Sequence, residues 1–154
     1  MAAKASTKGK TGEQQVATIL RAQIDRFLQN NPGLDSSVVS QLAKVVQRNL
    51  NQSSSGGGDI NLFGLSIEVK RQEGLSVNTW WAQAVASAAR NNDTPVLMFR
   101  QNHKAWRIML NGALLFNNNC SMQFARVEIE LDDFTEWFYN WASCKINEGL
   151  IDRV

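Results

Sequence analysis

The stretch GGGDINLFGLSIEVKRQ, residues 56–72, limits the fold more than any other part of the chain. Residues 59–63 and 65–71 are rich in aliphatic side chains and flank Gly64, which predicts two short strands joined as a hairpin. Alternate residues of a strand share a face, so Glu68 and Lys70 project together while Ile67 and Val69 enter a core. Asp59, on the partner strand across a tight turn, can then lie beside Glu68. A chain with this hairpin needs apolar elements to cover one of its faces.

The rest of the chain supplies them. From Thr11, the residues Val16, Ile19, Leu20, Ile24, Phe27 and Leu28 recur at three- and four-residue spacings and predict a helix with one apolar stripe. Asn30, Asn31, Pro32 and Gly33 end it. A second helix is predicted over 36–50, capped by Asp35 or Ser36 and buried through Val38, Val39, Leu42, Val45, Val46 and Leu50. After the glycine- and serine-rich 51–58 and the hairpin comes an Ala-rich helix over 77–92. Residues 95–100 and 105–110 read as a strand pair with 101–104 as the turn. Residues 111–123, rich in Asn, read as irregular, 126–130 as a last strand, and a final amphipathic helix starts at Asp132 or Asp133. Residues 1–10, with Lys4, Lys8 and Lys10, read as a flexible basic arm, and 11–154 as a single domain. Helices and strands in this order imply one α/β domain.

Composition excludes several classes. No apolar run approaches the roughly 18 to 20 residues that span a bilayer. The basic N-terminus has no apolar stretch behind it, so no signal peptide is expected and a cytoplasmic location is. Cys120 and Cys144 lie far apart and outside any metal-binding spacing, which argues against structural zinc and for two free thiols. Residues 1–125 carry thirteen Lys or Arg against seven Asp or Glu, and residues 126–154 carry three against seven. A basic body with an acidic C-terminal element suits a protein that turns one face to a polyanion, although solvated surface charge gives the same tally.

The chemistry is concentrated in the hairpin. Two carboxylates converging on one point repel unless a cation sits between them. Oxygen ligands of this kind select a hard divalent metal, Mg²⁺ or Mn²⁺. The Lys70 ammonium, two residues from Glu68, can orient an attacking water and neutralise charge on a phosphate. The plain alternative is a surface ion pair on an exposed strand face.

The pattern G-D-(x)8-E-V-K resembles the PD-(D/E)xK nuclease superfamily, with Gly58 where a proline is usual. Lys8, Gly9 and Glu13, in a K-G-x-x-x-E lead-in, are similar to the start of the archaeal-type Holliday junction resolvases. The resemblance implies a restriction-endonuclease-like core, a central mixed β-sheet flanked by helices. It implies catalysis by Glu13, Asp59, Glu68 and Lys70, with Glu13, Asp59 and Glu68 as metal ligands. For Glu13 the alternative is a first-turn glutamate favoured by the helix dipole. By the same resemblance, Ser54 or Ser55 contacts the scissile strand, Gln83 on the next helix is a candidate contact to the site or the phosphate with an ordinary exposed glutamine as the alternative, and the protein is a homodimer acting on four-way DNA junctions with Mg²⁺. The helix at 36–50, where the resolvases usually have a strand, and the segment 111–154 depart from that pattern.

Lys4, Lys8, Lys10, Arg71, Arg90, Arg100, Lys104 and Arg107 are candidate phosphate contacts, which set affinity rather than sequence preference, with plain solvation the alternative for each. One of Trp80 and Trp81 belongs to the core, because adjacent helix positions point about 100° apart. His103 reads as a turn residue. Three functions follow: a Mg²⁺-dependent junction-resolving endonuclease; a repair, restriction or general DNA-processing nuclease; and a non-catalytic DNA-binding module on a nuclease fold.

Overall fold

The apolar stripes predicted from spacing become the buried faces of four helices packed on one sheet. The computed structural model describes the backbone of residues 2–50, 59–117 and 121–149, and the side chains of residues 11–50, 60–117 and 121–149. The elements in chain order are α1 (Ala2–Asn30), α2 (Ser36–Leu50), β1 (Asp59–Leu62), β2 (Leu65–Arg71), α3 (Val77–Asn91), β3 (Thr94–Arg100), β4 (Arg107–Leu115), β5 (Met122–Glu130) and α4 (Leu131–Asn147). The five strands lie side by side in sequence order. Only β2 and β3 run parallel, joined through α3, so the sheet is mixed, as a restriction-endonuclease-like core requires.

The two faces of the sheet are covered unequally. Ile67, Val69, Val96, Met98, Ile108 and Leu110 form one core with Val16, Leu20, Ile24 and Phe27 of α1, Leu42 and Val45 of α2, and Phe134, Phe138, Ala142 and Ile146 of α4. On the other face Leu97, Phe99 and Met109 pack against Trp80 and Ala84 of α3. Trp80 is therefore the core member of the tryptophan pair, its ring 6.0 Å from Phe99, while Trp81 is half-buried.

The β1–β2 connection is unusually tight. Phe63 (φ 51°) and Gly64 (φ 76°) both have positive φ, as a two-residue hairpin turn of the primed type needs. Glycine takes this conformation without strain, but phenylalanine does not. Phe63 is held there from α4: its ring is buried 6.4 Å from Phe138, and its carbonyl accepts a 2.9 Å hydrogen bond from the Trp141 indole N–H. On the other side the Gly64 carbonyl accepts from the Thr94 N–H at 2.8 Å.

Three boundaries differ from the sequence expectation. Helix α1 begins at Ala2 rather than Thr11, so the backbone expected to be a flexible arm continues the helix. Residues 2–8 are mostly alanine, lysine, serine and threonine with no proline, so nothing in them breaks a helix that tertiary contacts already anchor downstream. Residues 111–123 are not irregular as a whole: β4 runs to Leu115 and β5 starts at Met122, paired Leu115 with Met122 through Arg107 with Glu130. The asparagines suggested a loop, but cross-strand pairing satisfies the backbone and overrides that local preference. Strand β4 starts at Arg107, two residues after the expected Ala105.

Other expectations hold. The Asp35 carboxylate accepts from the Ser37 hydroxyl at 2.5 Å and from the Ser37 N–H at 2.7 Å and caps α2; the hydroxyl first and then the N–H hold its carboxyl below the usual range. His103 sits in a turn with φ 59°. Cys144 is a free thiol, and Cys120 lies outside the described residues. Among the described residues no helix is long and apolar enough to cross a membrane.

Trp141→Phe keeps the ring packing and removes the donor to a carbonyl that the strained turn depends on. It is expected to cost about 1–2 kcal/mol, a fall in Tm of roughly 3–8 °C, measured by thermal unfolding. An unchanged Tm would show that the indole N–H does not hold the turn.

Candidate active site

The hairpin register pairs Asp59 with Glu68 and Asn61 with Ser66. Residues directly opposite in an antiparallel pair put their Cβ atoms about 4.5–5.5 Å apart on one face. The parallel pairing matches Glu68 with Leu97 and Lys70 with Phe99, so these residues share the face covered by α3. On that face the hairpin is polar throughout, whereas β3 beside it is apolar. Ile60 and Leu62 point into the opposite core.

Lys70 Nζ lies 2.6 Å from Glu68 Oε1, with side-chain exposures of 22% and 9%. The E-x-K motif is therefore not a pair on an exposed strand face, since a solvated pair would leave both groups wet. Taking a carboxylate this far out of water is costly unless a cation stays beside it, and Lys70 supplies that cation within the protein.

The donor set fits a hard divalent ion in its chemistry. It offers carboxylate oxygens and no thiol or imidazole. A carboxylate has about four lone-pair sites, so the Lys70 contact does not exhaust Glu68. Asn61, on the Asp59 face one pleat nearer the turn, has a buried Oδ1 with no hydrogen-bond partner among the described residues. A buried acceptor oxygen in that position favours a cation or donor close by. Asn61 was missed from the sequence, although the two-residue alternation from Asp59 places it on this face. Among the described residues no group of three His, Cys, Asp or Glu is assembled, and the Asp59 side chain is outside that set.

Glu13 is half-buried on α1, one residue from the closest approach of that helix to the sheet. A Cβ at Gly12 would stand 3.3 Å from Arg71 Cβ and 3.6 Å from Val69 Cγ1, so α1 packs closely on β2 here and a larger residue would ask its neighbours to give by a few tenths of an ångström. Val69 and Arg71 belong to the α1 face, opposite Glu68 and Lys70, and Glu13 follows Gly12 on that helix. Arg71 is half-buried and donates through Nε to Asn102 Oδ1 at 3.1 Å. Gln83 is exposed on α3. Lys8 and Lys10 lie on the α1 backbone with their side chains outside the described residues, as are Ser54 and Ser55 entirely.

The family model described as "Phage putative PDDEXK endonuclease" matches residues 4–148. No curated protein and no solved structure matches the chain.

A double-mutant cycle tests the ion pair. Lys70→Met leaves the Glu68 carboxylate buried without its cation and is expected to cost about 1–3 kcal/mol, less than a fully buried pair because Lys70 keeps some solvent. Glu68→Gln added to it should recover most of that loss in urea unfolding. Additive effects of the two changes would sink the coupling.

Proposed function

The chain belongs to the phage putative PDDEXK endonuclease family, and from that premise we propose that it is a Mg²⁺-dependent, structure-selective DNA endonuclease with four-way junctions as its substrate. The observation that carries this reading is the register setting Asp59 opposite Glu68, with Lys70 in contact with Glu68 at the carboxyl end of β2. In open α/β sheets that end is where ligands bind.

In this reading Asp59 and Glu68 hold Mg²⁺ or Mn²⁺, with Glu13 as a third carboxylate from α1. The bound ion supplies Lewis acidity toward the scissile phosphate and a more acidic water. Lys70, its Nζ located by Glu68, would orient an attacking water in line and neutralise charge as it builds on the phosphoryl oxygens. The water oxygen bonds to phosphorus as the P–O bond to the leaving strand breaks, the water gives a proton to solvent, and the leaving oxygen takes one from solvent. Ser54, Ser55, Lys8, Lys10, Arg71 and Gln83 contact the DNA. A phage-derived enzyme of this kind works in the host cytoplasm.

The four-way substrate rests on the K-G-x-x-x-E lead-in at Lys8, Gly9 and Glu13, and symmetric cutting of a junction needs two copies of the site. The far end of the β4–β5 hairpin leaves Leu114, Leu115, Phe116, Met122 and Phe124 exposed, Phe124 at 77%. By register Leu115, Met122 and Phe124 share one face, and an exposed apolar group of this kind suits burial against a second copy. Phe124→Glu is expected to shift the mass in light scattering from dimer to monomer. A wild-type monomer at micromolar concentration would remove the dimer from the proposal.

The catalytic reading is tested on labelled four-way, forked and linear DNA. The wild-type chain with Mg²⁺ should leave paired nicks across the junction. EDTA, Asp59→Asn or Lys70→Ala should abolish cleavage, at least a hundredfold in rate by the size of such contributions, while junction binding persists. Cleavage of linear ends instead would favour a general DNA-processing enzyme, and full activity in either variant would remove the site assignment.

A further inference from the structure

Beside this site the sheet holds two positive charges that form no ion pair among the described residues. Arg71 and Arg100 end the parallel strands β2 and β3 and are paired in register, on the α1 face. Neighbouring strands run about 4.8 Å apart. Like charges held this close repel, and the arrangement persists because the backbone fixes it: the Gln72 N–H donates to the Arg100 carbonyl at 3.2 Å. The Gln101 side chain donates to the Glu73 carbonyl at 2.7 Å, and the Asn102 N–H to Glu73 Oε1 at 3.0 Å.

Neither guanidinium has an ion-pair partner among the described residues. The ion pairs among the described residues are Arg26 with Glu136, Lys70 with Glu68 and Arg107 with Glu128, and none involves Arg71 or Arg100. Arg71 spends only Nε, on Asn102. Arg100 is oriented by the face of Trp106, 5.0 Å from its guanidinium carbon, and its Nε is buried with no hydrogen-bond partner among the described residues. Burial and then the Arg71 charge hold its pKa below the ordinary value. A donor both buried and unsatisfied, beside a second cation, is relieved by an anion that accepts from both.

Acidic groups border the pair. Glu13 stands on α1, Glu73 is engaged with Asn102, and Glu128, Glu130 and Asp132 line the far wall of a cleft of about 810 Å³ that Arg100 also lines. Glu128 is matched by Arg107, but the other two repel an anion from that wall. An approaching anion therefore meets Arg100 from the Arg71 side, next in sequence to Lys70.

We infer that Arg71 and Arg100 form a two-arginine clamp for a non-scissile backbone phosphate of the DNA strand being cut. This rests on the nuclease reading above and adds a subsite to it. A strand crossing the carboxyl ends of β2 and β3 passes from Lys70 to the clamp, which sets where along the strand the scissile phosphate stops.

The test is binding of labelled four-way and linear DNA in EDTA, across a salt series, with cleavage assayed in parallel. Arg100→Met keeps the side-chain stem on Trp106 and removes the guanidinium. It should weaken binding to every DNA shape by roughly tenfold and lower the salt slope by about one. Arg100→Lys should lose less affinity, because charge remains without the fork. Arg26→Met, whose guanidinium is already matched, should bind as wild type. Wild-type affinity and slope in Arg100→Met and Arg71→Met, both folded by thermal unfolding, would overturn the clamp even if the wild-type chain cleaves. Weakened binding in a chain that cleaves nothing with any metal would leave the clamp standing and remove the nuclease reading.

Discussion

The arrangement of charges depends on one two-residue turn. A hairpin closed by two residues has a single register, and a slip of one residue would carry Asp59 to the face opposite Glu68. That turn is not made by its favoured residues. Phenylalanine stands where asparagine or aspartate is usual, at a φ it adopts only under constraint. The constraint comes from α4, near the other end of the chain, through the Phe138 ring and the Trp141 indole. The final helix therefore contributes no chemistry to the site and still fixes which side chains meet there.

The sheet separates packing from charge. One face is apolar across β1 to β4 and is sealed by three helices, which supplies most of the buried surface. The other is divided, with β3 and β4 buried under α3 and the β1–β2 hairpin left to Asp59, Asn61, Ser66, Glu68 and Lys70. A polar column against a half-covered face would be unstable without internal partners. The Lys70–Glu68 contact meets part of that need, and Asn61 is left with an acceptor that it does not satisfy. Positive charge continues to the strand ends at Arg71 and Arg100, so in the proposed reading carboxylates for a cation and guanidiniums for phosphates come from the same pair of strands.

Much of this was legible beforehand because it depends on short-range periodicity. The 3.6-residue stripe of Val16, Leu20, Ile24 and Phe27 located α1, and the alternation around Gly64 located the hairpin and put Glu68 and Lys70 on one face. Asn61 belongs to the same alternation and was passed over because an uncharged amide carries no chemical signature of its own. The β4–β5 hairpin was misread in part because asparagine-rich sequence and strand are told apart by pairing, which is a property of two segments at once.

Residue type and spacing alone thus decided the α/β class, the hairpin, the choice of Asp59, Glu68 and Lys70, and the burial of one tryptophan of the Trp80–Trp81 pair. The folded chain had to decide the rest, because each remaining feature depends on residues distant in sequence. Parallel pairing of β2 with β3 brought Arg71 beside Arg100, an adjacency across 29 positions that no local pattern encodes. The packing of α1 at Gly12 against Val69 and Arg71 set that helix beside β2, and packing by α4 held the turn in register. Spacing fixes which side chains share an element, and tertiary packing fixes which elements share a site.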